Sequence, residues 1–160
     1  MKIALLLIST LFLFLSCNKD EKQGIKSIVG TWNVNHIESI YGNYTIENNV
    51  VIGTNETDRI NESGDLGQFN FGKNEVDFNF TRNDTVYSES SSWELQLEKV
   101  NSGFTKTNKW KLIIANEFTF DLTFEDDTKN SEKKADNVEF RHWPSESGFG
   151  VGFVMSLEKE

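Results

Sequence analysis

The feature that most limits what this chain can become is strict alternation of apolar and polar residues. It is cleanest in Phe118-Thr119-Phe120-Asp121-Leu122-Thr123-Phe124-Glu125, where every second side chain is apolar and the others are polar. A period of two places one set of side chains on one face of a strand and the other set on the opposite face. The pattern recurs in Val76-Phe78-Phe80, Trp93-Leu95-Leu97, Trp110-Leu112-Ile114, Val138-Phe140-His142 and Phe149-Val151-Phe153-Met155-Leu157. Thirteen Phe, frequent Thr and Val, and a single Pro suit strands. Nothing in the sequence is a helix long enough for a parallel crossover, so the strands are expected to be antiparallel and joined in chain order.

The first strand is expected around Trp32, Val34 and His36, read as sharing one face. A second is expected from Tyr44-Ile46 to Val50-Ile52. Thr54 to Leu66 is polar and reads as a long loop. Phe69-Phe71 and Val76-Phe78-Phe80 flank a turn or bulge near Gly72 to Asn74, and Asn83-Asp84 marks a turn. Tyr87 and Trp93 to Leu97 follow, then a turn at Asn101 to Gly103. Asp126 to Ala135 reads as a charged loop, and Pro144 to Gly148 as the turn before the last strand. About eight strands with one apolar face all the way round are what an up-and-down barrel requires. The expected fold class is therefore all-β: an eight-stranded antiparallel up-and-down barrel preceded by a short helical turn near Ile25 to Ile28.

The first 16 residues have a different character. Met1-Lys2 is a short positive start, and Ile3 to Leu15 is apolar except for Ser9 and Thr10. That length suits a signal peptide and falls short of the roughly 20 residues of a spanning helix. Small Ser16 precedes Cys17, the only cysteine of the chain. Phe14-Leu-Ser-Cys17 resembles the lipobox of bacterial lipoproteins, with Phe where Leu is usual. The resemblance implies cleavage before Cys17, lipidation of its thiol and further acylation of the new amino terminus. Lys19-Asp20-Glu21 resembles the Lys-acidic-acidic export signal of Bacteroidota lipoproteins, which implies display on the outer membrane at the cell surface. Residues 1–16 are thus read as leader, 17–27 as lipidated cysteine and tether, and 28–160 as the domain. Lys2 is the only charged side chain in the leader, so its removal takes the net charge from −9 to −10. So acidic a surface repels phosphate backbones and argues against nucleic acid as a partner. The membrane, reached through the lipid, is the partner implied.

Gly30-Thr31-Trp32 opens the first strand and resembles the Gly-x-Trp signature of lipocalin and lipocalin-like domains, a calycin fold in which the Trp plugs the closed end of the barrel. The Thr-Asp-Tyr motif of standard lipocalins is missing, and so is their Arg near the last strand. Arg141, one strand earlier, is the candidate to stack on Trp32.

No nucleophile motif, phosphate loop or metalloprotease motif occurs, so no catalytic residue, cofactor or metal is assigned. Glu125-Asp126-Asp127 with Asn130 gathers oxygen ligands, at a spacing unlike that of a calcium loop. Five Asn-x-Ser/Thr sequons occur, and Asp84-Thr85-Val86 resembles the short O-glycosylation motif of Bacteroidota exported proteins. His36 and His142 are both read as inward-facing, and are expected either to meet across the barrel or to be satisfied singly by neighbours. Phe149 and Phe124 are counted with the inward aromatic set. The candidate cavity lining is His36, Phe71, Phe78, Trp93, Trp110, Phe120, His142 and Phe153. So many aromatics either fill an eight-stranded barrel or line an apolar pocket. Two functions follow. One is a tethered barrel binding a small hydrophobic ligand, and the other a filled barrel that acts on a protein partner through its loops. An enzyme is disfavoured.

Overall fold

A computed structural model describes residues 19–48, 50–102, 105–114, 118–125 and 136–160. The leader and Cys17 lie outside these residues. So do the tip of the Asn101 to Gly103 turn and all of the Asp126 to Ala135 loop, with Asp126, Asp127 and Asn130 of the acidic cluster.

Helix α1 (Lys19–Ile28) is followed by β1 (Gly30–Glu47), β2 (Val50–Phe71), β3 (Glu75–Arg82) and β4 (Thr85–Ser102). Then come β5 (Thr105–Ile114), β6 (Phe118–Glu125), β7 (Asn137–His142) and β8 (Gly148–Lys159). Each strand pairs antiparallel with the next, and β1 also pairs antiparallel with β8, so one eight-stranded sheet closes on itself as a ring. Closure removes most of the free edges that an open sheet would expose. The Asn83-Asp84 turn has both residues in the left-handed region, φ 48° and 61°. This two-residue geometry suits the twist of the flanking strands, and Asn and Asp tolerate it.

Two expectations about β1 and β2 are corrected. Thr54 to Leu66 is strand, not loop, and what reads as a separate strand from Tyr44 to Ile52 is the end of β1 joined to the start of β2. The cause is in the pairing. β3 meets β2 only between Gly67 and Phe71, whereas β2 from Val50 to Ser63 pairs with β1 alone among the described residues. This half of β2 projects past the rest of the ring with both faces wet. Its composition therefore carries no apolar alternation.

A further correction follows from a bulge. The register of β1 slips between Val34 and His36 against both neighbours. An extra residue reverses the inside–outside phase. Trp32 and Val34 point inward before the slip, and Ile37 and Ser39 after it. His36 lies opposite Ser156, between the inward Met155 and Leu157, and so faces out, where its Nδ1 is 2.9 Å from Ser63 Oγ. It does not meet His142. Ile40 and Tyr44 also point outward, into a small second cluster under Trp143 and Pro144. There the Tyr44 hydroxyl donates to Ile40 O at 2.7 Å and accepts from Gly152 N–H at 3.0 Å. Burial pushes the Tyr44 phenol pKa up from its usual value.

Inside, Phe69 stacks on Phe78 and Phe80, each with centroids 5.5 Å away, and meets Phe140 edge-on at 5.5 Å. Phe120 in turn packs against Phe140 and Phe153. The middle of the interior is thus ring against ring, at separations typical of favourable aromatic pairs. Phe149 is an exception to the inward set: it is 70% exposed, opposite Asn43 on the projecting part of the sheet.

Helix α1 closes one end, and is longer than the single turn expected. Ile28 and Trp32 are both wholly buried, and Trp32 Nε1 donates to Ile28 O at 2.6 Å. Gly24 sits so close to Trp110 that a Cβ would lie 2.5 Å from its ring. Gly30 has φ +127°, a conformation that other residues rarely adopt, and this lets the chain turn from helix into β1. Lys159, near the end of β8, lays its ammonium 4.8 Å from the Trp32 ring centroid and donates to Ser27 O and Val29 O, both at 2.8 Å. Lys159 thus takes the place proposed for Arg141. Arg141 lies opposite Asp121 on the outer face, half exposed, and pairs with Glu139.

Candidate functional site

The site is built at the end of the ring opposite α1. There the inward series Val76, Phe78 and Phe80 of β3 continues to Arg82. Ser39 of β1 and His142 of β7 flank Phe153 of β8 in the register, one on each side. The alternation that supplies phenylalanines to the middle of the ring thus supplies polar groups at its mouth.

Arg82 lays its guanidinium carbon 4.2 Å from the Phe153 ring centroid and 5.4 Å from that of Tyr87, and Nη2 donates to the Tyr87 hydroxyl at 3.2 Å. Stacking of this kind suits a planar, weakly hydrated cation. Its Nε–H is buried with no hydrogen-bond partner, and no carboxylate among the described residues lies within ion-pairing distance. Ser39 is 0% exposed, and its hydroxyl likewise has no partner. Two buried polar atoms without partners, at one end of an otherwise apolar interior, go against the rule that native proteins satisfy such groups.

His142 lies 4.9 Å, centroid to centroid, from Phe153 and packs edge-on to Phe118 and Phe120. Its Nδ1 is 3.0 Å from Thr119 O. A carbonyl can only accept, so Nδ1 carries the proton and Nε2 keeps its lone pair. Burial lowers the His142 pKa below the ordinary 6.5. The bond to Thr119 O acts in the opposite direction, and the nearby Arg82 charge lowers it further. The imidazole is therefore neutral at pH 7.

The rim is tied together across strands. Asn83 Nδ2 donates to the Tyr41 hydroxyl at 2.7 Å, and Asn83 N–H donates to both carboxylate oxygens of Glu62, at 3.0 and 3.1 Å. Outside the rim, Arg59 bridges Glu38 and Glu56, which holds the Glu56 carboxyl below its usual range. That exposed network braces the projecting hairpin.

Of the candidate lining residues, Phe71, Phe78, Phe120 and Phe153 are buried in the packed interior. Trp93 and Trp110 are half-buried near the α1 end, with Trp93 Nε1 donating to Gly72 O at 3.2 Å. His142 alone of the two histidines reaches the mouth. The polar groups that share the mouth with it, Arg82 and Ser39, are absent from the candidate set read from the sequence.

Comparison with known protein families, with curated proteins and with solved structures finds no match.

The lowered His142 pKa has a consequence for stability. Between pH 6.5 and its lowered value, the unfolded chain binds a proton that the folded chain refuses. Acidification through that window favours unfolding. The His142 contribution is complete above pH 6.5 and is lost as pH falls through the folded-state value. The urea midpoint is expected to fall from pH 7.5 to pH 5.5, with a smaller fall in His142→Gln. Equal falls in both chains would show that His142 does not titrate abnormally.

Proposed function

We propose that this chain is a cell-envelope lipoprotein, moored through Cys17, whose lipocalin-like barrel holds a small hydrophobic ligand at its mouth. The observation that carries the reading is the break in character at that end. The interior passes from packed phenylalanines to unpartnered polar atoms on Arg82 and Ser39, bordered by the exposed apolar side chains of Phe149 and Ile60. Apolar walls with a few converging polar groups are the usual make-up of a small-molecule site. The Gly30-Thr31-Trp32 opening, the helix closing the Trp32 end and the cation from β8 over Trp32 support the lipocalin-like part of the reading. The order of Lys2, apolar run, Ser16 and Cys17 supports the anchor, and Lys19-Asp20-Glu21 supports display at the cell surface.

The alternative, a lipoprotein acting on a protein partner, is favoured by one observation. The outer edge of β2 from Val50 to Ser63 is unpaired among the described residues, and Val50 and Ile52 beside it are more than half exposed. A free edge of that length can accept another strand.

Two measurements test the proposal. The wild-type chain is expected to fractionate with membranes and to carry acyl mass, and Cys17→Ala to lose both. The mature Cys17→Ala chain, handled without detergent, is expected to enhance the fluorescence of the neutral probe N-phenyl-1-naphthylamine. A chain that leaves the probe dark, and is free of small molecules in native mass spectrometry, would favour the protein-partner reading.

A further inference from the structure

The mouth holds a cation that no described carboxylate neutralises. Arg82 is part-buried, stacked between Phe153 and Tyr87 with its Nε–H out of reach of water, yet no described carboxylate pairs with it. Glu62, an acid on the rim, is already occupied by the Asn83 backbone N–H through both oxygens. Burying an unpaired charge and leaving its N–H unbonded is costly, and one partner of opposite charge would relieve both costs. The Ser39 hydroxyl, wholly buried beside Phe153 in the register and without a partner, is a second donor. His142, neutral and edge-on to the phenylalanines, adds no positive charge.

From these groups we infer that the ligand of the mouth is an amphiphilic carboxylate, its acid head held by the Arg82 Nε–H and the Ser39 hydroxyl. The inference rests on the ligand-binding reading proposed above and specifies the chemistry of that site. A single guanidinium balances a single negative charge. A phosphate dianion would leave excess charge beside Glu62, within a chain of net charge −9. A carboxylate also matches the planar fork of Arg. The apolar part of the ligand does not run down the middle of the ring, which Phe69, Phe78, Phe80 and Phe140 occupy. It lies outward, along the inner face of the projecting strands, where Ile60 stands opposite Ser39 and Phe149 is exposed.

The test is displacement of N-phenyl-1-naphthylamine from the mature Cys17→Ala chain by decanoate and by 1-decanol. The two share a chain length and differ in the charged head. Decanoate is expected to displace the probe at roughly tenfold lower concentration, the scale of one charge-assisted hydrogen bond. Arg82→Gln is expected to abolish the preference and Ser39→Ala to reduce it, both with the probe still bound and with cooperative thermal melts. If Arg82→Gln fails to melt cooperatively, Ser39→Ala decides. Equal displacement by acid and alcohol, or a preference unchanged in the folded variants, would overturn the carboxylate inference and leave ligand binding standing. Failure of the wild-type mouth to take up the probe, the acid or the alcohol would overturn both.

Discussion

Trp32→Ala is expected to cost about 4 kcal/mol, within the range for emptying a buried aromatic site. The indole is wholly buried at the α1 end, under the helix and against the aromatic interior. Its removal leaves a void that β1 cannot fill, because β1 is pinned on one side by β2 and on the other by β8. Two further interactions go with it. The Ile28 carbonyl loses the 2.6 Å bond from Nε1 at the last turn of the helix, and Lys159 loses the ring beneath its ammonium. A domain of this size is stable by only about 5–15 kcal/mol. A loss on that scale consumes much of the margin and should release the helix first. The measurement is the urea midpoint by circular dichroism, with amide exchange over α1 as a local readout. Trp32→Phe is the informative control, because it keeps an aromatic ring and removes the Nε1 donor. It is expected to cost about 1–3 kcal/mol, the usual penalty for leaving a buried carbonyl unsatisfied. An alanine variant within 1 kcal/mol of wild type would show that the helix does not close the ring as described.

How much of this was legible in the sequence depended on which faces each segment buries. Strand β6 could be read because one face is buried along its length and the other is wet, so Phe118 to Glu125 alternates without a fault. Strands β3, β7 and β8 were legible for the same reason, and with them an all-β chain closed in strand order. The projecting half of β2 could not be read. Its residues from Thr54 to Ser63 have water on both sides, and a strand with two wet faces has the composition of a loop. His36 was misplaced for a different reason. Period-two reading carries a face along a strand only while the register holds, and the bulge after Val34 leaves no mark in composition. The same slip hid Ser39, whose inward orientation follows only once the phase is reversed. Arg82 was within reach, since it is the next term after Val76, Phe78 and Phe80, but a charged residue at the end of an apolar series reads as the end of burial. Lys159 over Trp32 is a tertiary fact: no local pattern connects the two positions.

Gly67→Ala should be nearly as damaging as the loss of Trp32, and for reasons of backbone alone. Gly67 has φ +130°, where a side chain is strained at about 1–3 kcal/mol. A Cβ built there would also lie 2.0 Å from Asn79 O and 2.6 Å from Phe80 Cα, both main-chain atoms of β3 that no side-chain rotation can move. The strands must therefore part, and the pairing of β2 with β3 runs only from Gly67 to Phe71. Its mouth-side end, opposite Phe80, is where opening would begin. A total of about 3 kcal/mol or more is expected in urea unfolding. Gly64→Ala separates the two causes. Gly64 has the same φ of +130° with nothing within 4 Å of its Cβ position, so it should show only the backbone strain. If the two variants cost the same, the contact with Asn79 is not a constraint. Gly67 is also the place where β2 stops being held on both sides, so strain there is passed to the rim just beyond it. Glu62 and Asn83 would move apart, and Arg82, one residue before Asn83, would lose its fixed position over Phe153. In Gly67→Ala chains that remain folded, the preference for decanoate over 1-decanol should therefore weaken, although the substituted residue touches no ligand. In Gly64→Ala chains it should persist.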